Sequence, residues 1–349
     1  MIDIYYRIKA LHELGVKIHL HCFEYGRGQS NGLTEFCEAV HYYPRKRRLL
    51  DAIKRLPFIV ASRRDKTLLE NLEDIEAPIL FEGLHTTAFL SELRLKHRIK
   101  MVRAHNIEHE YYSLLAHNAK GWKRRFFFKE SHKLANYEPV LKHANHIFAI
   151  KEPDAKHFEK YGRTVSVLPP CFELNSSSEI NGTKPFVLFH GNLAITENSH
   201  AMVWICENIL PIEGVEFVFA GKSPSPQLKT LAESKGAKLI DTPDSEEMNR
   251  LIKEARVHLL PTKMRTGVKL KLLNALQGSG YIIASNEMVE GTGLEEFVTI
   301  AGESSEWTKE IKEMIVDELD SELLRKRHQH LLLHYSPIET CKEILTLIS

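Results

Sequence analysis

The chain has few cysteines, no long apolar run and almost no net charge. Its five cysteines (Cys22, Cys37, Cys171, Cys206 and Cys341) are odd in number, widely spaced and form no C-x-x-C pair. That excludes a disulfide framework or a thiolate zinc site, and they read as reduced core residues. No uninterrupted apolar stretch is long enough to span a bilayer, and the opening Met1-Ile2-Asp3-Ile4-Tyr5-Tyr6-Arg7 lacks the basic-then-apolar profile of a signal peptide. A cytoplasmic protein is expected. Nothing resembles an RNA- or DNA-binding motif, so nucleic acid is not an expected partner. Internal repeats and low-complexity tracts are missing too.

What is present is an average soluble composition over 349 residues, more chain than one hydrophobic core usually organises. Two domains are expected. The net charge of +1 is uneven: residues 1–180 hold 29 Lys/Arg against 22 Asp/Glu, and the remainder holds 18 against 24. Much of the basic excess sits in Arg45-Lys46-Arg47-Arg48, Arg63-Arg64 and the run Lys120-Gly121-Trp122-Lys123-Arg124-Arg125-Phe126-Phe127-Phe128-Lys129. Cations mixed with large aromatics suit an anionic membrane surface, which would put the protein peripherally on the inner face of the cytoplasmic membrane. A helix with one solvated basic face and an aromatic core face explains the run equally well.

Short β-branched and aromatic runs alternate with helix-length amphipathic segments, the pattern of βα units around parallel sheets. Strands are expected at Val16 to Phe23, Ile79 to Phe81, Lys100 to Arg103, His146 to Ile150 and Val165 to Leu168. A second series runs through Phe186 to Phe189, Glu216 to Ala220, Lys238 to Ile240, Val257 to Leu260, Tyr281 to Ala284 and Val298 to Ile300. Between the series lies a polar, turn-rich stretch, so the expected organisation is a first domain over 1–170, a linker over 171–184, a second domain over 185–330 and a terminal helical segment over 331–349 that can return to the first domain. Open parallel sheets bind ligands beyond the carboxyl ends of their strands, which puts the expected site between the domains.

The richest segment follows the strand ending at Leu260-Pro261. Thr266-Gly267 is expected to open a helix, with Val268, Leu272 and Ala275 facing the core. Gly267 would let a ligand approach the first helix N–H groups, whose partial positive charge suits a diphosphate, and Lys269 and Lys271 add full charges. Asn274, three residues after Lys271, can share its face and meet ribose hydroxyls. An ordinary amphipathic helix with two solvated lysines has the same spacing.

This segment resembles the nucleotide-binding helix of GT-B glycosyltransferases of family four, the group 1 glycosyltransferases, in the form G-x-K-x-K-x-x-E-A. Gly267, Lys269, Lys271 and Ala275 stand at motif positions, while Thr266 and Asn274 replace the two glutamates of an E-x7-E motif. Other segments follow the family order. Phe189-His190-Gly191-Asn192-Leu193 with Glu197-Asn198 resembles the first strand, turn and helix of the donor domain, and Phe219-Ala220-Gly221-Lys222 the next strand end. Glu290-Gly291-Thr292-Gly293-Leu294 also fits its place. Earlier, Arg103-Ala104-His105-Asn106-Ile107-Glu108 resembles the R-x-H-N-x-E segment of polysaccharide-building transferases.

The resemblance implies an α/β fold of two Rossmann-like domains whose parallel sheets face across a cleft. It implies transfer of a sugar, with retention, from a nucleoside diphosphate sugar to a hydroxyl of a glycan or lipid-linked acceptor. His105, Asn106 and Glu108 become the catalytic candidates. Gly191, Asn192, Lys222, Thr266, Gly267, Val268, Lys269, Lys271 and Asn274 are donor-binding candidates, and His85, in Glu82-Gly83-Leu84-His85, is a candidate for the acceptor. No cofactor or metal is expected beyond the nucleotide sugar as co-substrate. Local readings of the first-domain residues remain open: Asn106 can cap the following helix, and Thr86 or Thr87 the helix after His85. His105-Asn106-Ile107-Glu108-His109 also spells H-x-x-E-H, an inverted zinc-peptidase pattern, which arises easily by chance in a chain with 19 histidines. Other readings are an epimerase-like or inactive nucleotide-binding GT-B protein, and a non-catalytic, membrane-apposed partner in polysaccharide assembly. Finally, Tyr5 to Leu14 resembles the first helix of the acceptor-side domain with no strand before it, so that domain is expected to be one strand short.

Overall fold

The structure, a computed structural model, describes residues 2–24, 28, 31–46, 55–174, 183–265 and 267–348. The chain divides into two compact units, Met1–Glu173 with His334–Ser349, and Leu174–Leu333.

Unit 1 begins with α1 (Ile2–Glu13), β1 (His19–Phe23), β2 (Ala39–Tyr43), α2 (Phe58–Ala61), α3 (Lys66–Asp74) and β3 (Ile79–Glu82). It continues through β4 (Lys100–Ala104), α4 (Glu108–Asn118), α5 (Gly121–Tyr137), β5 (His146–Ala149), α6 (Glu152–Phe158) and β6 (Thr164–Val167). Strands β3-β4-β5-β6 form one parallel sheet, and β1-β2 pair in a parallel sheet of their own. β4 and β5 are buried along their whole length. Met101, Val102, Ile147 and Phe148 suit such strands, since helices cover both faces of an all-parallel sheet, and Lys100, Arg103 and His146 are buried with them. Val102, Ile147 and Ala149 pack with Leu134 of α5, Leu141 and Phe158 of α6. α3 starts where the Asp65 carboxylate accepts from Thr67 N at 2.9 Å, and it turns Leu68, Leu69 and Leu72 inward.

Unit 2 contains β7 (Lys184–His190), α7 (Thr196–Asn208), β8 (Glu216–Gly221), α8 (Pro226–Ser234), β9 (Lys238–Asp241), α9 (Ser245–Glu254) and β10 (Ala255–Leu260). Then follow α10 (Leu270–Leu276), β11 (Tyr281–Ala284), α11 (Asn286–Val289), β12 (Thr299–Ile300), α12 (Ser304–Met314) and α13 (Ser321–Tyr335). The last helix, α14 (Pro337–Leu345), belongs to unit 1. Six parallel strands lie in the order β12-β11-β10-β7-β8-β9. On one face Phe189, Phe219, Val257, Leu259 and Ile283 meet Met202 and Ile205 of α7 and the buried Trp307 of α12. Ser225 and Asp244 accept from Leu228 N and Glu247 N, capping α8 and α9.

Three expectations change. The expected first strand begins only at His19, and β2 was not anticipated, although Ala39-Val40-His41-Tyr42-Tyr43 is a β-branched and aromatic run ending at Pro44. Its histidine and half-buried positions mask an apolar signal, and stacking of His41 on His21 at 4.9 Å ties the pair across the strands. The helix expected to open at Thr266-Gly267 starts at Leu270, with Lys269 as N-cap. Gly267 has φ +66, the left-handed region, which a right-handed helix cannot contain.

Candidate functional site

In unit 2 the chain goes from β7 outward through β8 to β9, then crosses back to place β10 on the other side of β7. The crevice beyond the carboxyl ends of β7 and β10 is therefore the switch point where open α/β sheets hold ligands. Gly191 follows β7 and Gly221 ends β8. A Cβ on Gly221 would lie 1.9 Å from the Gly191 carbonyl oxygen, so these turns touch backbone to backbone and only glycine fits. Gly191 N donates to Ala220 O and Leu193 N to Lys222 O, locking the two turns in register.

Side chains from both sides of the switch point meet there. Thr262, just past β10, donates through Oγ1 to Glu197 Oε1 of α7 at 2.5 Å, and Lys269 Nζ lies 3.8 Å from the same carboxylate oxygen. Thr262 is anchored by Ser285: Thr262 N donates to Ser285 Oγ, and Ser285 Oγ–H to Thr262 O. Lys271 Nζ donates to Asn198 Oδ1 at 3.1 Å and lies over the Phe189 ring. Asn198 in turn donates to Asn192 O. Burial lowers the Lys271 ammonium to about 8, with Lys269 adding to the effect and Glu197 opposing it. Below that pH the site presents a pinned, partly desolvated cation beside a second lysine.

Of the donor candidates, Gly191, Asn192, Lys269 and Lys271 join this constellation directly. Lys222 is exposed on the β8 turn, Gly267 and Val268 are half-buried ahead of α10, and Asn274 is exposed on α10. Thr266 lies outside the described residues. Glu197, Asn198 and Thr262 are the members that site selection from sequence missed. Glu197-Asn198 opens the first helix and Thr262 follows a strand end, but pairing them requires knowing that β7 and β10 are neighbours.

At the carboxyl end of the unit 1 sheet a denser cluster forms. Glu82, last in β3, accepts from Arg103 Nη1 at 3.1 Å and is hydrogen-bonded to His105 Nε2 at 2.7 Å, with Arg7 Nε at 3.8 Å. Arg103 also meets Asp3 at 3.0 Å. Burial would raise the Glu82 carboxyl, but Arg103, His105 and Arg7 together hold it well below the usual carboxylate range. His105 is thus oriented by a carboxylate that stays charged. His85 lies edge-on to it at 6.2 Å, and Gly83, at φ +90, is required because a Cβ would strike the His85 ring. Burial, reinforced by Arg63, His105 and Arg45, lowers His85 to about 3, so it is neutral at physiological pH.

Asn106 does not cap α4: the N-cap is Ile107, without a side-chain bond. Thr86 and Thr87 donate back to Gly83 O and Leu84 O and are not caps either. Glu108 is buried in the first turn of α4, and desolvation raises it to about 7. The two histidines of H-x-x-E-H go to different carboxylates, His105 to Glu82 and His109 to Glu138. His109, Glu138 and His157 do bring ligand atoms within 4.8 Å of one another. Glu138 there also accepts from Tyr161 Oη at 2.6 Å and faces Lys160 Nζ at 3.2 Å. Although burial opposes it, the hydrogen bonds from His109, Tyr161 and His157 hold Glu138 at about 2. The cluster has the chemistry of a buried carboxylate satisfied by donors.

The family model described as Glycosyl transferases group 1 matches residues 184–317, the span of this switch-point site. Residues 184–317 are thus similar to the group 1 glycosyl transferases. The whole chain has the GT-B fold: HepE of Anabaena, solved with UDP and glucose, superposes with a TM-score of 0.65 at 12% identity, covering 99% of this chain and 95% of that one. An apo structure of OtsA superposes with a TM-score of 0.62 at 9% identity, covering 100% and 95%. In sequence, an uncharacterized 44.6 kDa protein in the cps region of Klebsiella pneumoniae is 23% identical, covering 89% of this chain and 85% of its own length. The group 1 segment thus supplies all the switch-point residues, while the Glu82–His105 cluster lies outside it.

Proposed function

We propose that the chain transfers a sugar, with retention, from a nucleoside diphosphate sugar to a hydroxyl of a glycan or lipid-linked acceptor. The observation that carries this reading is the constellation across the β7/β10 switch point: Glu197 joined to Thr262 and Lys269, with Lys271 pinned by Asn198. Lys269 and Lys271 offset the charge of the diphosphate as it departs, so the donor is activated by protein cations without a metal. Lys222, exposed on the adjoining turn, can add a third. Asn274 on α10 is assigned to the ribose. His105, oriented by Glu82, contacts the transferred sugar, with Asn106 and Glu108 beside it; His85 serves the acceptor. HepE's complexes with UDP and UDP-glucose support the donor class, and the cps-region relative supports glycan assembly.

Calorimetry with UDP and GDP tests the donor site. At least one nucleoside diphosphate should bind, and Lys269→Ala should weaken it about tenfold, roughly the loss of one charge-assisted contact. Unchanged affinity would remove Lys269 from the site.

A second reading, a membrane-apposed partner without turnover, is favoured by one feature: on α5, Trp122 and Phe128 are 74% and 58% exposed beside Lys123, Arg124, Arg125 and Lys129, which are also exposed. Phe126 and Phe127 pack instead on Phe58 and Tyr112. No helix among the described residues is long and apolar enough to cross a membrane. Sedimentation with anionic and neutral vesicles separates the outcomes, because preference for anionic vesicles that is lost in Trp122→Ala supports peripheral binding. Nucleotide binding without transfer to any acceptor would favour the partner role.

A further inference from the structure

The H-x-x-E-H spacing makes no ligand set of its own, because its first histidine is held by Glu82 in a different cluster. Its last histidine joins a set that no spacing announces. His109 comes from the first turn of α4, Glu138 from the 3₁₀ turn Glu138–His143 after α5, and His157 from the last turn of α6. Each histidine addresses its own oxygen of the one carboxylate: His109 Nδ1 lies 3.0 Å from Oε2, and His157 Nε2 lies 2.7 Å from Oε1. All three ligand atoms are within 4.8 Å of one another.

With these donors the carboxylate is satisfied, but His157 is not. Its Nε2 is 2.7 Å from Glu138 Oε1 and 2.9 Å from Lys160 Nζ. A protonated Nε2 donates to the carboxylate and turns its proton on the ammonium's side; a bare Nε2 accepts from the ammonium and turns its lone pair on the carboxylate. Neither tautomer serves both neighbours. Lys160 Nζ also lies 3.2 Å from Oε1, so a positive charge already sits against two of the ligand atoms, on an exposed side chain that can swing into solvent. A divalent ion in its place resolves the conflict, because imidazole lone pair and carboxylate then point at the same charge. His109 and His157 are partly exposed while Glu138 is buried, which leaves the histidine side open to entry.

We propose that His109, Glu138 and His157 form a zinc site within unit 1, with solvent completing the coordination. Two imidazoles and one carboxylate suit Zn²⁺, whereas Mg²⁺ and Ca²⁺ take oxygen ligands. Zinc bonds at tetrahedral angles put ligand atoms about 3.4 Å apart, so the two hydrogen bonds to Glu138 open by less than about 1 Å. On coordination each imidazole proton moves to the other ring nitrogen, and Lys160 turns outward. Tyr161 Oη, which donates to Glu138 Oε1 at 2.6 Å, keeps that bond and holds the carboxylate in its orientation. The ion ties the first turn of α4, just beyond His105, to the end of α5 and to α6. Ser131 Oγ of α5, which donates to His109 O at 2.7 Å, already braces the first of these joins. The inference does not depend on the sugar-transfer reading.

The test uses the 349-residue chain without a histidine tag, stripped of metal by a chelator. Calorimetric titration with Zn²⁺ should give one ion per chain, and Co²⁺ should develop the visible absorption of a tetrahedral ion. His109→Gln and His157→Gln, which keep a hydrogen-bonding group beside Glu138, should each weaken zinc binding by about a hundredfold or more. Lys160→Met, which removes the competing ammonium, should tighten it by about tenfold. That variant changes an exposed side chain, so it decides the matter should either glutamine variant fail to fold. No stoichiometric zinc overturns the proposal, and so does an affinity unchanged in both glutamine variants, which would assign the ion to others of the 19 histidines. Weaker binding in Lys160→Met overturns it as well.

Discussion

The two units solve the same problem differently at the carboxyl ends of their strands. Unit 1 packs Asp3, Arg7, Glu82, Arg103 and His105 into one cluster of linked charges, with the Arg103 side chain fully buried. Unit 2 leaves its site looser: one hydroxyl–carboxylate bond, one lysine on an amide, and Lys222 and Asn274 in solvent. The difference separates rigidity from availability. Charges that neutralise each other hold a histidine in place, whereas Lys271 rests on a neutral amide, a partner that the diphosphate of the proposed donor could replace.

The largest expected effect breaks the first half of that contrast. Arg103→Met leaves Asp3 and Glu82 facing each other in a buried site, which should destabilise unit 1 by about 3–5 kcal/mol. Calorimetric unfolding should show this while nucleoside diphosphate affinity holds; a matching loss of affinity would mean that the two sites are not independent. In unit 2, burial, aided by Lys271, lowers His190 to about 4 from 6.5, and neither of its ring nitrogens has a partner among the described residues. As pH falls below 6.5 the unfolded chain takes up the proton first, so the stabilisation is complete above that value and lost on the way to 4. The loss should reach about 3 kcal/mol and be read by the fluorescence of Trp204 and Trp307 during urea unfolding, with His190→Phe flattening the profile. An acid loss just as steep in His190→Phe would exonerate the histidine.

A smaller effect sharpens the second half. Because Lys271 titrates at about 8, diphosphate affinity should fall as pH rises past that value, by roughly tenfold per unit at most. Lys271→Arg should remove the dependence, and a wild-type profile flat between neutrality and alkaline pH would mean that this lysine stays clear of the phosphates. Smallest of all, Asn274→Ala should change stability by less than about 0.5 kcal/mol, since the residue is exposed, and lower nucleotide affinity by no more than about threefold. A tenfold loss would make the ribose contact far stronger than an exposed amide can supply.

Much of the fold was legible in order. The alternation of apolar runs with amphipathic helices marked eleven strands, because a buried parallel strand such as Tyr281–Ala284 is apolar on both faces. Ala39–Tyr43 escaped because its pairing, not its apolarity, makes it a strand. The start of α10 was misjudged because a glycine can either open a helix or hold a left-handed turn, and its φ is not written in its neighbours. The group 1 motif residues and the placement of His105 at a strand end were likewise readable from local order.

By itself the sequence determined which segments could be strands, which residues carry charge beside glycine turns, and that the second half carries the group 1 pattern; all depend on neighbours in the chain. Only the tertiary structure decided that Thr262 meets Glu197, that Arg103 and His105 share Glu82, that Lys271 is pinned and partly desolvated, and that His109 and His157 meet at Glu138. Those facts depend on strand order and burial. Both arise when distant segments exclude water together, a property that no local window of sequence contains.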